Sequence, residues 1–399
     1  MKKIILILII IVIAVFVFYS LQEEDVKPDL MDASKLTELS ESSSEFSFRL
    51  FSELVEEDNI FISPYSIHTA LLLAYIGSDG ETKKEMTEVL QVMGISEEEI
   101  KEKALGLKHY LEYVSEETEV SIANAFFLRE DVPFLESYKK DGEDYFEAEI
   151  GPLPKEGKEV NEWVSDKTEG KIDELIDDGP VPAEVIAYLV NAIYFKGIWE
   201  VEFEKENTTE RTFYGKEEAE VDMMENKDSY LYGVSENMEA VTLEYKDGDY
   251  LFHAFMPRDL SDLYENLDRE VFESMKPTNK GEITLRLPKF TMEEDLKLSN
   301  ALQSIGMESA FDAAFADFSR MVDLDKVYPN NVYISEVYHS SFIEVDEKGT
   351  EAAAATAVEV RLESAPMEIV VEFNRPFFFV IEEAQTGAVL FMGQFTDPS

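Results

Sequence analysis

Apolar and polar positions alternate along this chain with two periods, and together they predict elements of both kinds. Phe46, Leu50 and Leu54 recur at helical spacing, as do Ile67, Leu71 and Ala74, so two early helices are expected around an apolar strand at 60–62. A charged helix is expected over 97–113. Strands are expected at 121–128, 188–195, 241–245, 251–256, 283–287 and 332–337. Two strongly apolar runs, 377–381 and 389–392, are joined by a turn through 382–387 and read as a buried hairpin. No fixed-period repeat and no Gly/Ser-rich or Pro-rich break divides the chain, so the elements describe one α+β domain over 45–399.

The N-terminus follows another rule. Lys2 and Lys3 precede an unbroken apolar run over 4–19, 16 residues long, which fits the core of an export signal better than a full bilayer span. No pair of small residues follows at an A-x-A-like site, so residues 1–21 read equally as an uncleaved membrane anchor. Glu23, Glu24 and Asp25 on the far side place the rest of the chain outside the cytoplasmic membrane, secreted or tethered. Residues 22–44 are polar and acidic and are expected to form a tether outside the fold.

Charge narrows the partners. Lys+Arg of 35 against Asp+Glu of 85 gives a net charge of −50, which repels phosphate backbones and anionic surfaces, so no nucleic acid is expected. There is no cysteine, which removes disulfides, thiol nucleophiles and cysteine-based metal sites. The four histidines, His68, His109, His253 and His339, form no metal-binding pair on one helical turn, and no phosphate-loop, dinucleotide or nucleophile-elbow motif occurs. An enzyme is therefore not expected, nor a cofactor or metal.

The informative stretch lies before the hairpin. Thr350, Ala352, Ala354, Thr356, Val358, Val360 and Leu362 share one parity, and every charge in the stretch, Glu351, Glu359, Arg361 and Glu363, falls on the other. That is period-2 patterning with small residues first on one face. Residues 351–357, rich in alanine, are equally acceptable to an isolated helix, so two states suit one segment.

This run, Glu347-Lys348-Gly349-Thr350-Glu351-Ala352-Ala353-Ala354-Ala355-Thr356, resembles the hinge of the reactive-centre loop of serpins, the family of serine protease inhibitors. Other stretches resemble the family in order: Asn59-Ile60-Phe61-Ile62-Ser63-Pro64-Tyr65-Ser66-Ile67, a middle helix at 161–172, Leu189-Val190-Asn191-Ala192-Ile193-Tyr194-Phe195-Lys196-Gly197-Ile198-Trp199, Leu287-Pro288-Lys289-Phe290, Phe373-Asn374-Arg375-Pro376 and Phe391-Met392-Gly393. The resemblance implies helices around a large central sheet with two smaller sheets and an exposed reactive loop. It also implies suicide inhibition: a serine protease cleaves the loop, forms an acyl-enzyme, and is trapped when the loop inserts into the central sheet.

Site residues carry over one by one. The hinge is Gly349, Thr350, Glu351, Ala352, Ala353, Ala354, Ala355 and Thr356. Ser63, Ser66, Asn191 and His339 match the family's shutter, where strands part, and Trp199, Lys289 and Glu347 match the breach, where the loop first enters. Seventeen residues counted from Glu347 place the scissile bond between Glu363 and Ser364; counting back from Phe373-Asn374 gives the bond before Pro366 instead. Cleavage after Glu363 implies a Glu-specific target, whereas cleavage after Leu362 or Arg361 implies a chymotrypsin-like or trypsin-like one. The charged helix sets Lys101, Lys103 and Lys108 against Glu97, Glu98, Glu99, Glu102 and Glu112, so no heparin-type glycan partner is expected. Asn207-Thr208-Thr209 is an N-glycosylation triplet. The inhibitor is expected to act as a monomer. A non-inhibitory carrier or chaperone, or an inhibitor of cysteine proteases, would share its fold.

Overall fold

Asp32 starts the first helix: its side chain accepts the Ser34 N–H at 3.0 Å, satisfying one of the free donors of α1 (Ala33–Leu54). The computed structural model describes residues 27–327, 331–350 and 369–398. Its main body begins at Met31. The expected tether at 22–44 is thereby corrected, since residues 33–44 belong to α1. Leu36 and Leu39 are buried on that helix, and the serines that suggested a tether are buried too: Ser40 Oγ donates to the Thr386 carbonyl at 2.9 Å and Ser44 Oγ to that of Gly387 at 3.0 Å. The expected leader at 1–21 lies outside the described residues.

Strand β1 (Ile60–Ile62) leads through Ser63 and Pro64, a cap and a first-turn proline, into the wholly buried α2 (Pro64–Ile76). Then follow α3 (Gly80–Val89) and α4 (Glu97–Tyr113), the latter opened by a Ser96/Glu99 capping box. Next come β2 (Glu119–Leu128), α5 (Glu136–Phe146), β3 (Glu149–Pro152), α6 (Gly157–Lys167) and β4 (Ala187–Ile198). Helix α6 begins and ends earlier than the expected 161–172. Asn161 on it receives the Leu175 and Ile176 N–H groups at 2.9 and 3.0 Å, so the chain has already turned back there.

Strands β5 (Thr209–Tyr214), β6 (Glu218–Val234), β7 (Met238–Glu244) and β8 (Tyr250–Pro257) precede two short helices, α7 (Leu260–Tyr264) and α8 (Arg269–Met275). The chain continues as β9 (Asn279–Pro288), β10 (Phe290–Lys297), α9 (Ser299–Ser304) and α10 (Leu324–Val327). It closes with β11 (Glu336–Val345), β12 (Gly349–Thr350), β13 (Val370–Glu372), β14 (Phe377–Glu383) and β15 (Val389–Phe395). The strand expected at 332–337 is thus displaced: only its last two residues open β11.

Among the described residues the strands form two sheets. One has six strands in the order β10-β11-β12-β4-β2-β3, five of them longer than the two-residue β12. The other has nine, β1-β15-β14-β8-β7-β6-β9-β13 with β5 on β6. The two smaller sheets implied by the sequence are joined here through the 17-residue β6, which pairs β5 with its first residues, β9 with its middle and β7 with its end. Helix α2 packs behind the six-stranded sheet in the main core, and α6 covers part of the opposite face through Val160 and Val164 against Phe127, Val190 and Ala192.

Candidate functional site

The site is the seam between β4 and β11. Over most of its length the two strands are direct parallel neighbours, from Tyr188 opposite Glu336 to Ile193 opposite Ser341. The two strands lie far apart in sequence, and this parallel ladder joins the two halves of the six-stranded sheet. At the other end the strands splay and β12 lies between them: Gly349 pairs with Ile198, and Thr350 with Gly197 on one side and Val345 on the other. The wedge needs glycine, because a Cβ at Gly349 would come 1.9 Å from the Gly197 carbonyl oxygen, and one at Gly197 would come 2.5 Å from the Tyr245 ring.

In the middle of the seam the structure brings together Ser63, Ser66, Asn191 and His339, all fully buried. The Ser63 N–H donates to His339 Nε2 at 3.0 Å, so that nitrogen carries no proton, and Nδ1–H donates to Asn191 Oδ1 at 2.8 Å. Asn191 Nδ2 in turn donates to Ser66 Oγ and, at 2.8 Å, to Asn124 Oδ1 on β2. Ser63 Oγ donates to the Leu390 carbonyl and caps α2. One imidazole thus ties the N-terminus of α2 to β11, and one amide carries the tie across β4 to β2. Burial pushes the His339 imidazole down to about 3, which keeps it neutral and acceptor-competent at Nε2. On β10, opposite Ser341, burial and then the Asp295 charge push the Glu294 carboxyl up to about 7.

At the splayed end a second cluster surrounds the wedge. Trp199 is fully buried, stacks on Tyr245 with ring centroids 4.5 Å apart, and donates Nε1–H to the Asp346 carbonyl at 3.0 Å. The Tyr245 hydroxyl shares a 2.8 Å hydrogen bond with Thr350 Oγ1. Lys289 Nζ lies 2.9 Å from Glu347 Oε2, and Thr208 Oγ1 donates to Glu347 Oε1 at 2.9 Å. Burial works to raise the Glu347 carboxyl, but the Lys289 ammonium and these hydrogen bonds outweigh it and hold the group below its ordinary value. Asp346 through Thr350 are therefore clamped by side chains from four separate segments.

All of the expected residues among the described ones fall into these two clusters, at two levels of one seam. Glu351, Ala352, Ala353, Ala354, Ala355 and Thr356 of the expected hinge, and the expected scissile pair Glu363 and Ser364, lie outside the described residues. Three participants went unread in the sequence. Asn124 could have been found as the lone amide in an otherwise small and apolar strand, but Tyr245 and Thr208 carry no local signal of their long-range partners. Among the described residues no group of histidines and carboxylates is arranged to hold a metal, and no helix is long and apolar enough to cross a membrane.

Known proteins share this architecture. The family model described as Serpin (serine protease inhibitor) matches residues 41–398. Serpin B10 of Papio anubis is 33% identical over 404 residues, covering 90% of this chain and 99% of its own. Human thyroxine-binding globulin complexed with thyroxine superposes with a TM-score of 0.82 at 26% identity, over 92% of this chain and 100% of that one. The thermophilic serpin tengpin in its native state superposes with a TM-score of 0.81 at 29% identity, over 93% of this chain and 96% of that one.

Proposed function

This chain belongs to the serpin family, a family with a protease-inhibitor fold, and on that premise we propose that it inhibits serine endopeptidases as a suicide substrate. The observation that carries this reading is the closed β4–β11 ladder with a two-residue wedge at one end. A seam paired directly can still accept a strand, and the wedge sets its register. Continuing the pairing of Gly349 with Ile198 and of Thr350 with Val345 one residue at a time brings Ala352 level with Phe195 and Ile343, Ala354 with Ile193 and Ser341, and Thr356 with Asn191 and His339. Those positions face the packed interior, where a large or charged side chain could not enter without heavy cost. On the other face Ala353, Ala355 and Ala357 come level with Tyr194, Ala192 and Val190, in the part that α6 covers. This accounts for small residues on both faces over 352–357.

In the reaction, the protease serine attacks the carbonyl carbon of Glu363, the Glu363–Ser364 bond breaks, and the new amine of Ser364 leaves with the part joined to β13. The protease stays esterified to Glu363 while residues 351–363 enter the seam and carry it along. Shutter and breach are the roles that fit the two clusters: the first must part without stranding buried polar atoms, and the second holds the wedge at the starting position. The ion pairs of Lys101 with Asp141 and of Lys108 with Glu112 and Glu147 support the absence of a heparin-type site on α4. The apolar run at 4–19 supports action outside the cytoplasmic membrane.

The test is to mix the full-length chain with a panel of serine proteases. An SDS-resistant complex and a released peptide beginning at Ser364 are expected. Thr350→Arg should convert the inhibitor into a substrate, because the first interior position would then carry a charge. Stable trapping by that variant would refute the account. A chain that is cleaved with no complex and no gain in melting temperature would favour a carrier, the reading supported by likeness to a globulin that is complexed with thyroxine.

A further inference from the structure

The seam is bridged on both faces, and only the inner bridge has been described. Tyr188 on β4 and Tyr338 on β11 have the opposite parity to Asn191 and His339, so they stand on the outer face of the sheet. Their rings meet across the seam edge to face, with centroids 4.9 Å apart and planes at 86°. Both side chains are buried with Val160 and Val164 of α6, and Lys297 Nζ on β10 lies 5.8 Å from the Tyr338 ring centre. Beside the pair opens a cavity of about 810 Å³, lined in part by Leu175, Ile176, Val181 and Pro182, which leaves the rings room to swing apart.

This contact exists only while β4 and β11 are neighbours. A strand between them would move them apart by a further strand spacing, about 4.8 Å, and the rings could no longer touch. The same register that brings Thr356 level with His339 brings Ala357 level with Val190 and Tyr338, and Glu359 level with Tyr188 and Glu336, so these two side chains would enter the face that the rings now share. Ala357 offers no ring to replace the one lost.

We propose that Tyr188 and Tyr338 form an aromatic latch that holds the sheet closed and slows strand uptake, so that they set how often a cleaved loop is captured before the acyl-enzyme is hydrolysed. The latch rests on the insertion reading above. It acts by holding two strands together and touches no reacting atom.

The experiment measures uptake by the intact full-length chain of a synthetic peptide with the sequence of residues 350–362, followed as the rise in melting temperature with time. Tyr338→Leu and Tyr188→Leu should each speed uptake roughly two- to tenfold, the range an aromatic pair provides. The double variant should be little faster than either single one, because either substitution already opens the latch. Tyr188→Phe and Tyr338→Phe keep the rings and lose only the contact between the two hydroxyl groups, so they should speed uptake less than the leucine variants. Should one leucine variant not fold, the other carries the same expectation. Leucine variants that take up peptide at the unmodified rate, or whose effects multiply in full, would overturn the latch while leaving insertion intact. No uptake by any form, the unmodified chain included, would overturn insertion and the latch together.

Discussion

The β4–β11 seam and the β14–β15 hairpin are equally buried, yet they are bound by different chemistry. In the hairpin, Phe377, Phe378, Phe379, Val380 and Ile381 face Phe391, Met392 and their neighbours with no exposure, and Phe379 alone meets the rings of Phe61, Phe252, Phe290 and Phe377. Such contacts are non-directional and numerous, and no single rearrangement releases them. Apart from the one Tyr188–Tyr338 ring pair on its outer face, the seam holds instead through a few directional groups: an imidazole, two amides, the Ser63 N–H and the Ser66 hydroxyl. Each of these can exchange one partner for another, as a strand slides in, without losing all of its stabilisation. Where the protein must stay shut it uses extensive aromatic packing, and where it is proposed to open it uses polar groups at fixed positions on one face and a single ring pair on the other.

The comparison can be broken from the strong side first. Phe379→Ala should lower the stability of intact and nicked protein alike by about 3–5 kcal/mol, read from urea midpoints, because the hairpin is the same in both. A loss confined to one form would show that the hairpin takes part in the change. Asn191→Ala should cost about 1–3 kcal/mol in the intact form, since it leaves His339 Nδ1–H and Ser66 buried without their partner, and less in the nicked form, where the seam has already parted. Equal losses would end the distinction.

Acid sharpens it further. His339 and His68 are held by burial at about 3 and about 4, below the ordinary 6.5, so the unfolded chain takes up protons first and stability falls as pH drops below 6.5. Glu294, pushed up to about 7 from 4.5, works the other way, because the folded form binds its proton first as pH falls. Each histidine contributes a loss of up to about 1.4 kcal/mol per pH unit between pH 6 and 5. His339→Gln should remove one such contribution and make the fall of stability on acidification shallower by about that amount, and an unchanged slope would show that the imidazole already ionises in the folded chain. The smallest effect belongs to the splayed end: Lys289→Met should cost about 1 kcal/mol, since the ammonium is one-third exposed while the buried Glu347 carboxylate it leaves keeps Thr208 as a partner, and it should change the melting temperature of the intact form more than that of the nicked one.

Local pattern was legible wherever packing agreed with composition. Helix α4 and strand β1 have the expected limits of 97–113 and 60–62, and β2, β4 and β8 contain their expected cores. The misses share one cause. In α1 the Ser40 and Ser44 side chains looked like tether and proved to be interior. In β11 the buried run His339-Ser340-Ser341 hid a largely interior strand, so the expectation slid to the more apolar residues before it. The acidic alternation of β6 likewise concealed the longest strand, which spans the two smaller sheets. Polar residues satisfied inside a protein look the same in sequence as polar residues in water.

The amino-acid order by itself determined the α+β class, the absence of cysteine chemistry, the small-residue alternation after Gly349 and, through the resemblance it carries, Ser63, Ser66, Asn191 and His339 as residues of the seam. Their pairing was decided only by tertiary structure. That Asn191 accepts from His339 rather than from a neighbour, that Tyr188 meets Tyr338, and that Glu347 is held by Lys289 and Thr208 follow from strands brought together across more than a hundred residues in the first two cases and from chain segments converging on the wedge in the third. Hydrogen bonds and ring contacts act over a few ångströms in space, and residue order constrains such distances only between near neighbours along the chain.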